Sequence, residues 1–354
     1  MNIENLARQA VRDLAPYASA GRLKAIGEIS LNANEWPTPP SFLKDAASLN
    51  RYPPFQDSSL LTIYGTYAGV ESTQILTCRG ADEAIDLLLR SFCEAGQDAI
   101  ITCPPTYGMY EISAQISGVE CRKIPMTPNW DIDLNALEKN LANVKIVFLC
   151  NPNNPTGQAL DPKALESMLE ITKDRALLVI DESYGEFCPA ISCIPRLQAN
   201  PHLVILRTLS KAFGLAGIRC GFALANPSII TLLRKIIAPY PVPTPSLAIA
   251  YRALTPENIA HMQENVALCA RERNRLADGL MKCPQIDTVY PSVTNFLLFR
   301  AKDSHTLWNA LVNRGILLRD QSTGYRLENC LRVSIGTPDE NARLLAVLKE
   351  LANA

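Results

Sequence analysis

Between about Thr73 and Ala225, short continuous apolar runs alternate with stretches patterned for helices, and that alternation leaves a chain few ways to fold. The runs fall at residues 75–77, 99–102, 146–149, 177–180, 204–206 and 221–225. Apolar runs of this length, separated by helices, read as a mainly parallel sheet covered on both faces, an α/β arrangement. The intervening helices carry signals of their own. Asp161 and Pro162 supply an N-cap and a first-turn proline, after which Leu165, Met168, Leu169 and Thr172 recur at helical spacing. After Gly80, the residues Ala84, Ile85, Leu88, Leu89 and Phe92 form one apolar stripe.

Downstream the pattern changes. Residues 257–283 read as one long helix able to bridge two domains, with Met262, Val266, Leu268, Cys269, Leu276 and Leu280 as candidate core positions. A strand at 295–299, a helix at 305–313, strands near 316–318 and at 331–335, and a terminal helix from Pro338 suggest a small α+β domain. The segment up to about Tyr64 lacks enough pattern to fold alone and is expected against this tail or a partner subunit. The expected division is therefore an N-terminal arm and part of the small domain (1–64), a large domain (65–256), an interdomain helix (257–283) and a small C-terminal domain (284–354). Proline clusters at 36–40 and 239–245 read as ordered turns.

Composition narrows the function. A net charge of -1 with no dense Lys/Arg block lacks the footprint of a nucleic-acid or membrane-surface binder, so a small-molecule substrate is expected. The 11 cysteines include no CxxC pair and there are only 3 histidines, so no metal site is expected. No apolar stretch approaches the roughly 20 residues that span a bilayer, and residues 1–17 hold no signal-like run. The expectation is a cytoplasmic protein with reduced thiols and no membrane association.

Four segments carry chemistry. In Leu206-Arg-Thr-Leu-Ser-Lys-Ala-Phe-Gly-Leu-Ala-Gly-Ile-Arg-Cys-Gly-Phe222, a buried strand runs into polar residues at its C-terminal end, where doubly wound sheets place ligands. An amine at Lys211 could form an imine with an aldehyde cofactor, leaving Thr208, Ser210 and Arg219 for an anion. In Leu177-Leu-Val-Ile-Asp-Glu-Ser-Tyr184, Asp181 ends an apolar strand, a costly place for a carboxylate without a cationic partner such as a protonated pyridine nitrogen. Tyr184 could reach the same ligand. Asn151-Pro-Asn-Asn-Pro-Thr-Gly157 places Asn154 at a third strand end. In Thr77-Cys-Arg-Gly-Ala-Asp-Glu83, the backbone N–H groups of Ala81 and Asp82 open a helix and would favour a phosphate. Each segment alone admits a plainer reading: a surface lysine, a capping carboxylate, an Asn-Pro turn, a capped helix start.

Together, Gly80-Ala-Asp-Glu83, Asn151-Pro-Asn-Asn-Pro-Thr-Gly157, Asp181-Glu-Ser-Tyr184 and Ser210-Lys-Ala-Phe-Gly-Leu-Ala-Gly-Ile-Arg219 resemble the fold-type I aminotransferases, which are pyridoxal-phosphate enzymes. The resemblance extends from Asn32-Ala-Asn-Glu-Trp-Pro37 and Arg51-Tyr-Pro53 to Leu331-Arg-Val-Ser-Ile-Gly-Thr337. It implies that Lys211 is the Schiff-base lysine, that Asp181 pairs with the pyridine nitrogen, and that Asn154 and Tyr184 bond the cofactor's phenolic oxygen. Tyr107, in Pro104-Pro-Thr-Tyr107, would stack on the ring. Thr208, Ser210, Arg219 and the amides of Ala81 and Asp82 would hold the phosphate of pyridoxal 5'-phosphate, with Tyr52 reaching it from the other subunit of a homodimer. The resemblance further implies a phosphorylated amino alcohol and glutamate/2-oxoglutarate as substrates. Arg332 would take the glutamate carboxylate in one half-reaction and, with Arg319, the substrate phosphate in the other; Tyr17 and Asn32 would line the same pocket. Three alternatives stay open: an aromatic or broad-specificity aminotransferase, a phosphothreonine decarboxylase on the same scaffold, and a cofactor-sensing regulatory domain. The last requires a DNA-binding module, for which residues before Asn32 offer neither room nor basic charge.

Overall fold

The computed structural model describes residues 3–15 and 49–353. Tyr17, Asn32, the motif at 32–37 and the proline cluster at 36–40 lie outside the described residues.

In chain order the elements are α1 (Gln9–Arg12), α2 (Ser58–Ala68), β1 (Ile75–Cys78), α3 (Ala81–Phe92), β2 (Ala99–Thr102), α4 (Met109–Ile116), β3 (Glu120–Lys123), α5 (Leu134–Lys139), β4 (Val144–Cys150), α6 (Pro162–Thr172), β5 (Leu177–Asp181), β6 (Leu203–Thr208), β7 (Gly221–Ala225), α7 (Pro227–Ile236) and α8 (Thr244–Ala253). A long helix, α9 (Pro256–Met281), leads to β8 (Ile286–Val289), β9 (Phe296–Ala301), α10 (Ser304–Val312), β10 (Arg319–Asp320), β11 (Cys330–Ser334) and α11 (Pro338–Asn353).

The first seven strands form one sheet in the order β1-β7-β6-β5-β4-β2-β3. From β3 to β6 neighbouring strands pair in parallel. Alternate residues feed two cores. Leu178, Ile180 and Ile205 pack with Tyr64, Leu165 and Met168 on one face, while Val179, Val204 and Leu206 pack with Ile85, Leu88 and Phe92 on the other. Burial on both faces explains why these strands are apolar at every position. The helix-covered, mainly parallel sheet expected from the sequence is the observed one, and β8 to β11 form the second, smaller sheet, antiparallel throughout.

Several local readings need correction. The run at 221–225 looks like its parallel neighbours, yet β7 is antiparallel to both β6 and β1. The link from β6 to β7 contains no α-helix to carry the chain across a face of the sheet, so the chain turns back beside β6. Strand β3 lies at the sheet edge, where exposed and half-buried residues replace the apolar run that would have revealed it. No strand occupies 316–318; pairing with β11 begins only at Arg319, and Leu317 is 79% exposed. In α9, Met262, Leu276 and Leu280 are buried as expected, but Val266 and Cys269 are only half-buried and Leu268 is exposed. The middle of this helix crosses between packed regions instead of lying on either. The described part of the N-terminal segment packs on α3 and α7: Leu6, Ala7 and Val11 join that core, and Arg8 pairs with Glu94 at 2.7 Å.

The two sheets meet beside the Asn151–Gly157 loop. The Val293 N–H donates to the Gly157 carbonyl at 2.8 Å. Gly157 has φ +77, and a Cβ there would fall 2.7 Å from Ser292 Cβ, so both the conformation and the close approach require glycine.

Candidate active site

Parallel pairing of β4, β5 and β6 brings their carboxyl ends to one edge, with Cys150 opposite Asp181 and Asp181 opposite Leu206. Asn154 lies in the loop after β4, Asp181 ends β5, and Lys211 lies in the loop after β6. All three line one cavity, together with Tyr184 and Tyr107. The anion-binding candidates Ala81, Asp82, Thr208, Ser210 and Arg219 line it as well.

Asp181 is the most constrained group. It is 3% exposed, and its two oxygens are held by different donors. Oδ1 accepts from the Ser183 N–H at 3.0 Å and the Ser183 hydroxyl at 2.5 Å, while Oδ2 accepts from the Tyr110 hydroxyl at 2.8 Å. Burial pushes its carboxyl above the usual range, and those donors pull against the shift. None of the salt bridges among the described residues involves Asp181, so a cationic ring nitrogen in the cavity would give this buried carboxylate its charge partner. Ser183 and Tyr110 were not singled out from the sequence. Ser183 stands inside the Asp181 motif, and Tyr110 follows Tyr107 by one helical turn.

The opposite end suits an anion. Gly80 precedes α3 as its cap and has no side chain to bond the first-turn amides, and Ala81 and Asp82 of that turn line the cavity. Gly80 has φ +86, and a Cβ there would sit 2.8 Å from Arg219 Nη2, so glycine is what lets the guanidinium lie over the helix start. Arg219 donates to the Ser210 hydroxyl at 3.4 Å and to the Asp82 carboxylate at 3.4 Å. The Thr208 hydroxyl donates to that of Ser210 at 2.8 Å. Two hydroxyls, a guanidinium and helix-start amides match the acceptors of a phosphate, and the cavity therefore fits pyridoxal 5'-phosphate at both ends.

Between these ends, the Tyr107 hydroxyl donates to Asp82 Oδ1 at 3.0 Å, and Lys211 Nζ lies 5.6 Å from the centre of the Tyr184 ring. The Lys211 side chain is solvent-exposed. Burial raises the Tyr184 phenol pKa, with the Arg332 cation acting against the shift. Arg332 projects from β11 and donates to Asn154 Oδ1, and its guanidinium lies 5.2 Å from the Phe296 ring. Arg319 is its register partner across the β10–β11 pair, and both arginines line a neighbouring open depression. Tyr52 is not brought into the cavity of its own chain. It is 56% exposed and stacks on Tyr240 at 4.2 Å.

On the reverse face of the same strand ends, Arg207 and Glu182 point away from the cavity. Arg207 pairs with Glu182 and with Glu186, each at 2.8 Å, and also donates to Ser192 at 3.1 Å. This buried cluster ties β5, β6 and the following loop together directly behind Asp181 and Thr208.

The profile of the aminotransferase class I and II family matches residues 25–348. The chain belongs to this family. Over 350 residues, covering 99% of this chain and 97% of the relative, it is 49% identical to the histidinol-phosphate aminotransferase of Cronobacter sakazakii. Among solved structures it resembles the histidinol-phosphate aminotransferase of Clostridium acetobutylicum, with TM-score 0.77, 25% identity, and coverage of 84% of this chain and 90% of that one. The enzyme of that name from Sinorhizobium meliloti, solved in complex with pyridoxal-5'-phosphate, has TM-score 0.77 at 24% identity, covering 86% of this chain and 83% of that one. At that identity the likeness speaks for the fold alone.

Proposed function

We propose that this aminotransferase exchanges the amine of L-histidinol phosphate with 2-oxoglutarate, giving imidazole acetol phosphate and L-glutamate, in histidine biosynthesis. The observation that carries the reading is the convergence of Asn154, Asp181, Tyr184 and Lys211 on one cavity, with Arg332 reaching it from the second sheet. The 49% identity along nearly the whole chain selects the substrate.

Pyridoxal 5'-phosphate supplies an electron sink that acidifies the substrate carbon bearing the amine. Asp181 would balance the positive ring nitrogen, Tyr107 would cover the ring, and Asn154 and Tyr184 would donate to its phenolic oxygen. Thr208, Ser210, Arg219 and the amides of Ala81 and Asp82 would hold the phosphate. Lys211 would take the proton from the substrate carbon as general base and return it as general acid. Arg332 grips the substrate carboxylate or phosphate through its planar fork, with Arg319 adding a second cation for the phosphate. We assign Tyr17 and Asn32 to the same substrate pocket. Tyr52 is assigned to the site of a partner subunit in a homodimer, a role consistent with its exposed position outside its own cavity. We propose the domain division into 1–64, 65–256, 257–283 and 284–354, with the described residues of 1–64 packed against the large sheet. No helix among the described residues is long and apolar enough to cross a membrane. We infer a cytoplasmic enzyme from its likeness to enzymes of amino-acid biosynthesis.

The test is single-turnover absorbance of the loaded enzyme mixed separately with glutamate and with histidinol phosphate. Both should convert the bound cofactor, and Lys211→Ala should abolish conversion while retaining the wild-type melting temperature. A wild-type enzyme indifferent to the substrate phosphate would refute the substrate assignment. Turnover surviving in Lys211→Ala would refute the lysine.

A further inference from the structure

Two tyrosines three residues apart flank the start of α4, Tyr107 just before its cap at Gly108 and Tyr110 in its first turn, and of the two Tyr107 lines the cavity. Tyr110 lies beneath it, fully buried. Its ring stacks on Phe148 of β4 at 5.0 Å and 7°, and meets the Tyr107 ring edge-on at 5.6 Å and 85°. A phenylalanine would make the same ring contacts. What tyrosine adds is a hydroxyl, which donates to Asp181 Oδ2 at 2.8 Å. The second oxygen is already occupied by the two Ser183 donors. Three donors favour the charged form and hold the plane of a carboxylate that lines the cavity.

Building on the reading of the site as a pyridoxal-phosphate site, we propose that Tyr110 is a positioning residue for the transamination: its hydroxyl fixes the Asp181 carboxylate in the ionised form and orientation that receive the cofactor's ring nitrogen. The surroundings make this donor necessary. Facing Asp181 are Asp82 from α3, whose charge opposes ionisation, Cys150 from β4, Tyr107 from the turn before α4, and Ser183 and Tyr184 from its own segment. Lys211, from the loop after β6, lines the same cavity, and its charge is felt at Cys150. Desolvation and Asp82 both favour the neutral acid, which could not balance a ring cation. Ser183 and Tyr110 oppose them.

The test uses pyridoxamine 5'-phosphate, which lacks the aldehyde and so binds without a bond to Lys211. Equilibrium dialysis across pH would compare wild-type enzyme, Tyr110→Phe, and each in an Asp181→Asn background. Tyr110→Phe keeps the ring stack; it should weaken binding about 10- to 150-fold near neutral pH, the range for one hydrogen bond to a charged group. It should also move the acid limb of the affinity profile to higher pH, because removing a donor from the charged form favours the acid. In Asp181→Asn the same substitution should cost less than about threefold, since the charge it serves is gone. Replacing Tyr110 with 3-fluorotyrosine preserves the packing and strengthens the donor, and should move the acid limb the other way. Equal affinity and an unmoved acid limb in Tyr110→Phe would overturn the proposal, as would the same loss in both backgrounds, which would mark a packing role. Failure of the wild-type enzyme to bind pyridoxamine 5'-phosphate would instead bring down the reading of the site on which the proposal rests.

Discussion

Asp181 shows how one residue trades stability for chemistry. Burial raises its folded-state pKa, so the folded chain holds this proton more tightly than the unfolded chain does. Ionisation therefore costs stability as pH rises through the folded value, and the cost disappears below the unfolded value of about 3.9. An amide never ionises. Without cofactor, Asp181→Asn should melt at a higher temperature than wild type in neutral and mildly alkaline buffer, with the gap closing as pH falls; calorimetry across pH reads this directly. With cofactor bound, the same variant should turn over slower by on the order of 10²-fold or more, since a neutral amide cannot balance the ring nitrogen. Near-normal turnover would reduce Asp181 to a strand-end cap. The chemistry of this residue was legible in the sequence, because a carboxylate ending an apolar strand stands out. Its donors were not: Tyr110 lies 71 residues away in the chain and comes within reach where its ring stacks on Phe148 of β4.

At the scale of elements, the ends of β5 and β6 and the start of α3 decide whether the site exists. Arg207→Met removes the cation shared by Glu182 and Glu186 and leaves two buried carboxylates uncompensated. Breaking a buried pair from one side costs about 3–5 kcal/mol, so the denaturation midpoint should fall sharply while a hydrophobic core of similar volume remains. A midpoint within error of wild type would show that the cluster does not brace the strand ends. Gly80→Ala acts on geometry: its Cβ would sit 2.8 Å from Arg219 Nη2 at a φ of +86. We expect weaker binding of pyridoxal 5'-phosphate with little change for a phosphate-free analogue, a comparison readable by fluorescence titration. Helices α3 and α6 could be read from their stripes and caps, because amphipathic periodicity is local. Strands β3 and β8 could not, since both carry exposed residues and owe their existence to a neighbour's hydrogen bonds.

For the whole molecule, function depends on the second sheet standing against the first. Arg332 on β11 donates to Asn154 in the loop after β4, and Arg319 faces it across the strand pair. Arg332→Ala should lower kcat/KM for glutamate and histidinol phosphate alike, whereas Arg319→Ala should chiefly weaken the phosphorylated substrate. The loss should be roughly 10- to 150-fold for each contact removed. Lysine at either position should restore only part of it, because the charge returns without the planar fork. Equal losses for both substrates in Arg319→Ala, measured in separate half-reactions, would refute this division of roles.

By itself the sequence determined the helix-covered sheet and the residue types of the site, since apolar runs, helical stripes and strand-end polar residues are properties of neighbours in the chain. Only the tertiary structure decided the antiparallel direction of β7, the solvent-exposed middle of α9, and the meeting of Tyr110 with Asp181 and of Arg332 with Asn154. These depend on which surfaces pack together, and burial and hydrogen bonding between distant segments leave no periodic trace in the order of residues.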